Sequence, residues 1–163
     1  MNPLLEIRTT VFSPERAYRY RLKQTWDPAL PHIVYCLLNP STADEQKNDP
    51  TVERCERRAR ATKGCGASEI INIFAYRATN PLNMKAQTDP VGPDNDHHII
   101  EAAKGALMVI CGWGNHGAYM GRGKMVEKLL RDNGIPLHYL RLGKEGQPGH
   151  PLYIGYDVMP TLW

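Results

Sequence analysis

The chain has 163 residues, of which 42% are hydrophobic and 23% are charged, and its net charge is +3. This composition is typical of one globular domain and excludes a disordered chain or a small disulfide scaffold. The apolar runs are too short to span a bilayer, so we expect no membrane partner. Because Met1–Glu6 lack the basic-then-apolar pattern of a signal peptide, we expect a cytoplasmic protein.

The first predicted element is a β-hairpin. Residues 8–12 and 18–22 flank the turn signal Ser13-Pro14-Glu15-Arg16. The second strand alternates aromatic and basic side chains, which is typical of an edge strand with one solvated face; a stacking strip for nucleic acid is the alternative. A loop completes an N-terminal region of residues 1–31, and residues 32–163 form the predicted core of a single domain.

The core alternates predicted strands and helices. Apolar runs predict strands over residues 32–38, 69–76, 106–111 and 136–142. Capping and stop signals predict helices over residues 50–63 and 94–104, and a third helix that ends at Gly134. This alternation predicts a three-layer α/β/α fold, whose central sheet is mostly parallel and has about four strands.

A polar signature lies at or soon after the end of each predicted strand. In chain order the signatures are Asn39-Pro40-Ser41-Thr42-Ala43-Asp44, Arg77-Ala78-Thr79-Asn80-Pro81, Gly112-Trp113-Gly114-Asn115-His116-Gly117 and His150-Pro151-Leu152-Tyr153. Open α/β sheets bind ligands outside the carboxyl ends of their strands. We therefore expect the four signatures to meet in one site, which indicates an enzyme or a nucleotide-binding protein.

Asn72 is a candidate for recognising a base. It lies within an apolar strand, where a buried amide must find hydrogen-bond partners. A rigid amide offers the donor and acceptor pair that the edge of a nucleobase requires, although bridging of neighbouring backbone is an equal alternative. By period-two alternation Phe74 and Tyr76 share its face, and Tyr76 could stack on a base.

The glycine-rich signature formally matches the dinucleotide fingerprint G-x-G-x-x-G. It follows a late strand and lacks the expected acidic partner, so it does not indicate a dinucleotide site. Gly114 would still let backbone approach a ligand, and Arg122 lies near a helix start where an anion could bind. A tight turn between strand and helix is the alternative.

The cysteines indicate packing rather than chemistry. Cys36 and Cys111 lie in apolar runs, whereas Cys55 and Cys65 flank the end of a helix, and no C-x-x-C pair is present. A metal site or disulfide scaffold is therefore disfavoured. We expect neither a metal nor a cofactor.

Taken together, the motifs resemble a bacterial and phage family called domain of unknown function 1643. The segments that carry the resemblance are Leu38–Asp44, Asn48–Thr51, Asn72–Thr79, Gly92–Asp96, Trp113-Gly114 and His150–Tyr153. They extend over most of the chain. The family name implies no activity.

At greater distance, the order of motifs is similar to that of the uracil-DNA glycosylase superfamily. The resemblance implies that Asn39 holds the attacking water, Asn72 reads the base and His150 stabilises the departing base. Leu152 or Tyr153 would be the wedge that fills the gap left by a flipped base. Because Asn39 cannot act as a general base, Asp44 or Asp49 would supply one, although Asp49 also suits the role of helix cap.

The leading expectation is an enzyme that cleaves or transfers the N-glycosidic bond of a nucleobase, with DNA or a nucleotide as partner. The predicted catalytic residues are Asn39, Asp44 and His150. The predicted substrate-binding residues are Pro40, Ser41, Asn72, Tyr76, Arg77, Trp113, Gly114 and Arg122. Two alternatives are a non-catalytic binder of nucleic acid or nucleotide, and an enzyme for a small phosphorylated metabolite whose phosphate binds at residues 114–122.

Overall fold

The computed structural model describes residues 6–163, so the prediction about a leader at residues 1–5 lies outside the described part. Residues 6–163 form seven strands and four α-helices. The strands are β1 (Ile7–Phe12), β2 (Arg19–Thr25), β3 (His32–Leu37), β4 (Ala67–Asn72), β5 (Met108–Cys111), β6 (Leu137–Tyr139) and β7 (Thr161–Leu162). The helices are α1 (Pro50–Arg60), α2 (Pro81–Lys85), α3 (Asn95–Ala103) and α4 (Arg122–Asp132).

All seven strands belong to one mixed sheet with the order β1-β2-β4-β3-β5-β6-β7. The central strands β4, β3, β5 and β6 are parallel, whereas β1, β2 and β7 pair in antiparallel fashion. The α/β class and the four core strands are confirmed. The prediction of a mostly parallel sheet of about four strands was wrong, because it counted neither the hairpin nor the C-terminus as part of the sheet.

The hairpin is an integral part of the sheet. Strand β2 pairs along β4, with Leu22 opposite Ile70, so β1 forms the sheet edge. Arg19 and Leu22 are consequently buried, and so is Tyr20, whose ring stacks on His98. The prediction that the second hairpin strand is an edge strand was therefore wrong, since β2 is covered on both sides by neighbouring strands.

Helices pack on both faces of the sheet. Alternate residues of β3 point to opposite faces. Tyr35 joins Cys55 of α1 in one hydrophobic cluster, whereas Cys36 joins Ile99 of α3 and Val126 of α4 in the other. All four cysteines are buried, as expected, and burial raises the pKa of the Cys36 thiol to about 12. Within residues 6–163, none of the helices has the length and hydrophobicity needed to traverse a bilayer.

The connections create a crevice at one edge of the sheet. The chain leaves β3 toward the face that α1 covers, and it leaves the neighbouring β5 toward the face that α4 covers. Loops that depart in opposite directions from adjacent parallel strands leave an open space between their carboxyl ends. The sequence signatures after β3 and β5 lie at this position.

Trp113, directly after β5, is only 1% exposed and packs against closely placed glycines. A Cβ atom at Gly117 would lie 1.9 Å from Cδ1 of Trp113, and one at Gly123 would lie 2.6 Å from its Nε1. Glycine is therefore needed at both positions so that the indole can lie beneath the turn that leads into α4.

Substitution Gly117→Ala should lower the free energy of unfolding by about 3 kcal/mol, because the new methyl group displaces the buried indole. Chemical denaturation followed by circular dichroism measures this change. Gly143→Ala is the control, since a Cβ at that position meets its nearest neighbour at an ordinary 3.5 Å. Equal stability of the two variants would show that Trp113 can move without cost.

Candidate functional site

A cavity of about 920 Å³ lies at the carboxyl ends of the parallel strands. All four sequence signatures contribute to its lining, together with the start of α1. The polar and charged residues that line it are Asn39, Ser41, Thr42, Asp49, Thr51, Thr79, Asn115, His116, Arg141, Gln147 and His150. The expected convergence of the signatures therefore occurs in the structure.

Asn39 connects two of the converging loops. Its side-chain Nδ2 donates to the carbonyl oxygen of Ala78 at 2.8 Å and to that of Pro40 at 3.1 Å. Because both partners are acceptors, the amide orientation is determined. No group within residues 6–163 donates to Oδ1, which leaves this oxygen to accept from a water molecule or a ligand.

Asp49 is the carboxylate that lines the cavity, in the described part of the chain. It caps α1: its Oδ1 accepts from the amide of Val52 at 2.8 Å, and its Oδ2 accepts from the amide of Ala43 at 3.3 Å. Each oxygen keeps a further lone pair for another partner. The same side chain therefore begins the helix and presents a fixed carboxylate to the cavity.

Asp44 lies outside the cavity lining. Its Oδ1 accepts from the backbone amides of Gln46 and Lys47, at 2.8 and 2.7 Å, and these bonds lower the pKa of its carboxyl group. Asp44 thus organises a surface turn. The carboxylate that the sequence analysis considered second, Asp49, is the one in the site.

His150 lines the cavity with a defined tautomer. Its Nδ1 accepts from the backbone amide of Leu152 at 3.3 Å, so the neutral ring carries its proton on Nε2. Burial lowers the pKa of His150, and the negative charge of Asp49 opposes that shift. The neutral ring at pH 7 therefore offers an N–H donor.

Two arginines of α1 hold the segment that follows His150. Arg54 donates to the carbonyl oxygens of Pro151 and Ile154, and the buried Arg58 donates to those of Ile154, Gly155 and Val158. The ring of Tyr156 lies beneath the guanidinium of Arg54, at 4.4 Å. Hence two arginines of α1 fix a wall of the cavity.

Asn72 is placed away from the cavity. It is 2% exposed, and its Oδ1 accepts from Arg19 at 3.4 Å, while its backbone oxygen accepts from Asn95 at 2.8 Å. The side-chain oxygen of Asn72 is thus bound by a core arginine and is not presented to the cavity. This partner is a side chain, whereas the alternative to base recognition was the bridging of neighbouring backbone.

Arg122 also lies outside the lining, buried below the strand ends. It donates to the carbonyl oxygen of Ile73 at 2.7 Å and forms an ion pair with Asp96. Both interactions secure the point where β4 ends. Arg122 therefore forms an internal ion pair, whereas the sequence predicted that it lies near an anion-binding site.

Three further predicted residues do not line the cavity, namely Pro40, Tyr76 and Arg77. Pro40 is buried beneath it, and its carbonyl oxygen accepts from the amide of Ala78. Tyr76 packs edge-to-face on Tyr18 at 5.9 Å, and Arg77 lies over the ring of Phe12 at 4.9 Å. These side chains attach the hairpin to the end of β4.

Ser41, Trp113, Gly114, Leu152 and Tyr153 do line the cavity. Trp113 donates from Nε1 to the side chain of Gln147 at 2.8 Å, so its indole is fixed in place. Tyr153 is 80% exposed, with its ring 6.0 Å from that of His150. A large aromatic side chain thus projects into solvent beside the half-buried histidine.

The sequence analysis assigned no site role to Arg141 or Gln147. Arg141 lies two residues beyond β6, within the longer strand predicted over residues 136–142, and Gln147 lies in the glycine-rich loop that follows. The signal that could have found them is their position, since they precede His150 on the same strand-end segment. Within residues 6–163, no group of three His, Cys, Asp or Glu side chains is arranged to hold a metal ion.

Replacing Arg58 by Met should loosen the segment that carries His150. The substitution removes the hydrogen bonds that the guanidinium donates to the carbonyl oxygens of Ile154, Gly155 and Val158, which costs about 2–3 kcal/mol. We expect faster hydrogen exchange at the amides of Ile154 and Val158, measured by mass spectrometry. Arg57→Met is the matched control, because Arg57 is exposed on the same helix. Unchanged exchange in the Arg58 variant would show that the segment does not depend on this arginine.

Acid should destabilise the protein partly through His150. Its folded-state pKa lies below the unfolded value of 6.5, so stability is retained above that value and falls as the pH decreases below it. In His150→Asn, whose side-chain oxygen can accept from Leu152 but does not titrate, the fall between pH 7 and pH 5 should be smaller. Denaturation curves across this range measure it.

His32 and His98 retain their own acid sensitivity in that variant, because burial lowers their pKa values as well. The wild-type protein, which keeps all three histidines, is the reference for this comparison. An identical pH profile for the wild type and the His150 variant would contradict the inferred neutral state of His150.

Comparison with known proteins places the chain in a family. The family described as "Protein of unknown function (DUF1643)" matches residues 19–152, which include the whole cavity lining except Tyr153 and Ile154. Searches of curated proteins and of solved structures found no match. With a match over most of its length, the chain belongs to the DUF1643 family.

Proposed function

We propose that the protein binds a nucleobase in this cavity and cleaves or transfers its N-glycosidic bond, in the manner of uracil-DNA glycosylases. The observation that carries the proposal is the common location of three groups. An unpaired amide oxygen (Asn39), a carboxylate (Asp49) and a neutral imidazole donor (His150) line one cavity.

Hydrolysis of an N-glycosidic bond needs an activated water molecule. In the proposed reaction Asn39 accepts a hydrogen bond from the water through Oδ1, and the Asp49 carboxylate takes the proton that the water loses. The water oxygen bonds to the anomeric carbon as the bond from that carbon to the base nitrogen breaks. Asp49 can serve because its position is fixed by two backbone amides.

The departing base takes the bonding electron pair and becomes anionic. An N–H donor aimed at the developing charge stabilises it, and the neutral His150 offers Nε2–H for this purpose. Because Asn72 lies outside the cavity, the base must be recognised by other groups. Asn115 and the loop amides that line the cavity are the candidates, and Trp113 supports the wall behind them.

DNA is the favoured form of the substrate. Leu152 and the strongly exposed Tyr153 follow the His150-Pro151 pair and line the cavity. An exposed aromatic side chain beside a pocket can occupy the space that a flipped base leaves in the duplex. The first and last motifs of the glycosylase order, at Asn39 and at His150–Tyr153, lie at the cavity, and the likeness to the glycosylase superfamily is part of the proposal.

A second candidate is an enzyme or binding protein for a free nucleotide. It is favoured by the open volume of the cavity and by Arg141, a cation that the glycosidic reaction does not use. In that case the same cavity would bind base and sugar, and Tyr153 would close over them.

Base release from oligonucleotides carrying uracil, mismatched bases or modified pyrimidines tests the proposal. Asp49→Asn should reduce release at least 100-fold, because the general base is lost. Asp44→Asn, which keeps the turn and lies outside the cavity, is the matched control and should retain activity. Asn39→Ala should also lose activity.

If no substrate releases a base while nucleosides still bind, the hydrolase proposal fails and the binding alternative stands. Equal losses of activity in the Asp49 and Asp44 variants would contradict the assignment of the cavity carboxylate as the general base.

A further inference from the structure

One wall of the cavity carries positive charge that the proposed reaction leaves unused. His116 follows β5 and Arg141 follows β6, and both line the cavity. Lys85, at the end of α2, lies behind His116. These three side chains come from three different strand-end connections, so their grouping is a product of the fold and not of a local basic run.

The contact between Lys85 and His116 determines the tautomer of the imidazole. Lys85 Nζ lies 2.9 Å from Nδ1 of His116. An ammonium group can only donate, so Nδ1 accepts and the ring proton is on Nε2. Lys85 is half-buried, lies 5.2 Å from the ring centre of Tyr119 and has no carboxylate partner among the described residues. A positive charge therefore supports an N–H donor at the cavity wall.

The backbone of Arg141 is fixed by a hydrogen bond, whereas its side chain has no partner among the described residues. Its carbonyl oxygen accepts from the amide of Gly149 at 2.7 Å. Its guanidinium has no hydrogen-bond or ion-pair partner within residues 6–163, although nine ion pairs of arginine or lysine occur elsewhere in that range. The neighbouring Gly143 lies against Asn115, so the loop that carries Arg141 adjoins the loop that carries His116.

The cavity does not supply a counter-charge for these cations. Asp49 is the carboxylate that the described residues place in the lining, and backbone amides already bind both of its oxygens. A group with several acceptor oxygens and negative charge would complement the wall, and phosphate has this chemistry. A planar guanidinium can bind it through two parallel hydrogen bonds.

We propose that the wall formed by Lys85, His116 and Arg141 binds a phosphate group of the substrate. This inference rests on the proposed function and deepens it, because it makes the substrate a nucleotide and not a free base or nucleoside. The phosphate can belong to a mononucleotide or to the backbone next to a flipped nucleotide. Arg122, where the sequence predicted the anion, plays no part.

Binding measurements test the subsite without requiring turnover. Inorganic phosphate is titrated into the protein while amide resonances of His116 and Arg141 are followed by NMR. Calorimetry then compares pyrimidine nucleosides with their monophosphates. We expect phosphate to shift these resonances, and each monophosphate to bind at least 10-fold more tightly than its nucleoside.

Arg141→Gln and His116→Gln should remove that preference for the monophosphate. Lys144→Gln is the matched control, since Lys144 is exposed on the same loop and outside the lining. Equal affinity for nucleoside and monophosphate in the wild type, or a preference that survives Arg141→Gln, would overturn the subsite.

The source of the phosphate follows from a third comparison. Competition between a mononucleotide and inorganic phosphate identifies a free nucleotide as ligand. Binding of a short oligonucleotide that weakens with salt, and less steeply in Arg141→Gln, identifies the backbone phosphate. Either result supports the subsite. Phosphate binding without base release would retain the subsite and reject the glycosidic reaction, so the two proposals fail separately.

Discussion

The cap that Asp49 forms on α1 is the interaction on which the candidate site depends. One carboxylate oxygen accepts from the amide of Val52 in the first turn of the helix, and the other accepts from the amide of Ala43 in the loop after β3. Once α1 is fixed in this way, Arg54 and Arg58 reach the segment behind His150. A single helix therefore holds both the loop after β3 and the segment behind His150, which form two sides of the cavity and are far apart in the sequence.

Buried arginines secure the loops throughout this protein. Arg19, Arg58 and Arg122 are each almost completely buried, and each donates to backbone carbonyl groups of a loop or strand end. Burial lowers the pKa of Arg19 to about 10, so it is still charged at pH 7. Three of the 20 lysine and arginine side chains are thus used for internal hydrogen bonding.

Local patterns were sufficient to predict the core strands and the helices α1, α3 and α4. Their apolar runs and caps, such as Asp49 before Pro50, are short-range signals. The edges of the sheet could not be predicted in this way. The pairing of Leu22 with Ile70 joins segments that are distant in the sequence, so no local pattern predicts it. Strand β7 has only two residues, which is too short for a periodic pattern of hydrophobic residues.

The candidate site was predictable where its residues come directly after strands. Asn39 and His150 lie in the cavity because the carboxyl ends of parallel strands meet there. Asn72 does not line the cavity, because it is the last residue of β4 and its side chain points into the core. There it accepts a hydrogen bond from the buried Arg19, which lies on a strand that the sequence predicts to be solvated on one face. Period-two alternation shows which residues lie on the same face of a strand, but it does not identify the side chains that pack against that face.

The central claim is that the four strand-end signatures form one nucleotide site. A crystal structure of the protein with a pyrimidine mononucleotide tests it most directly. The account predicts the base and sugar between Asn39, Asp49 and His150, with the phosphate against Arg141. A nucleotide bound outside the cavity, or one whose phosphate faces Asp49, would contradict it.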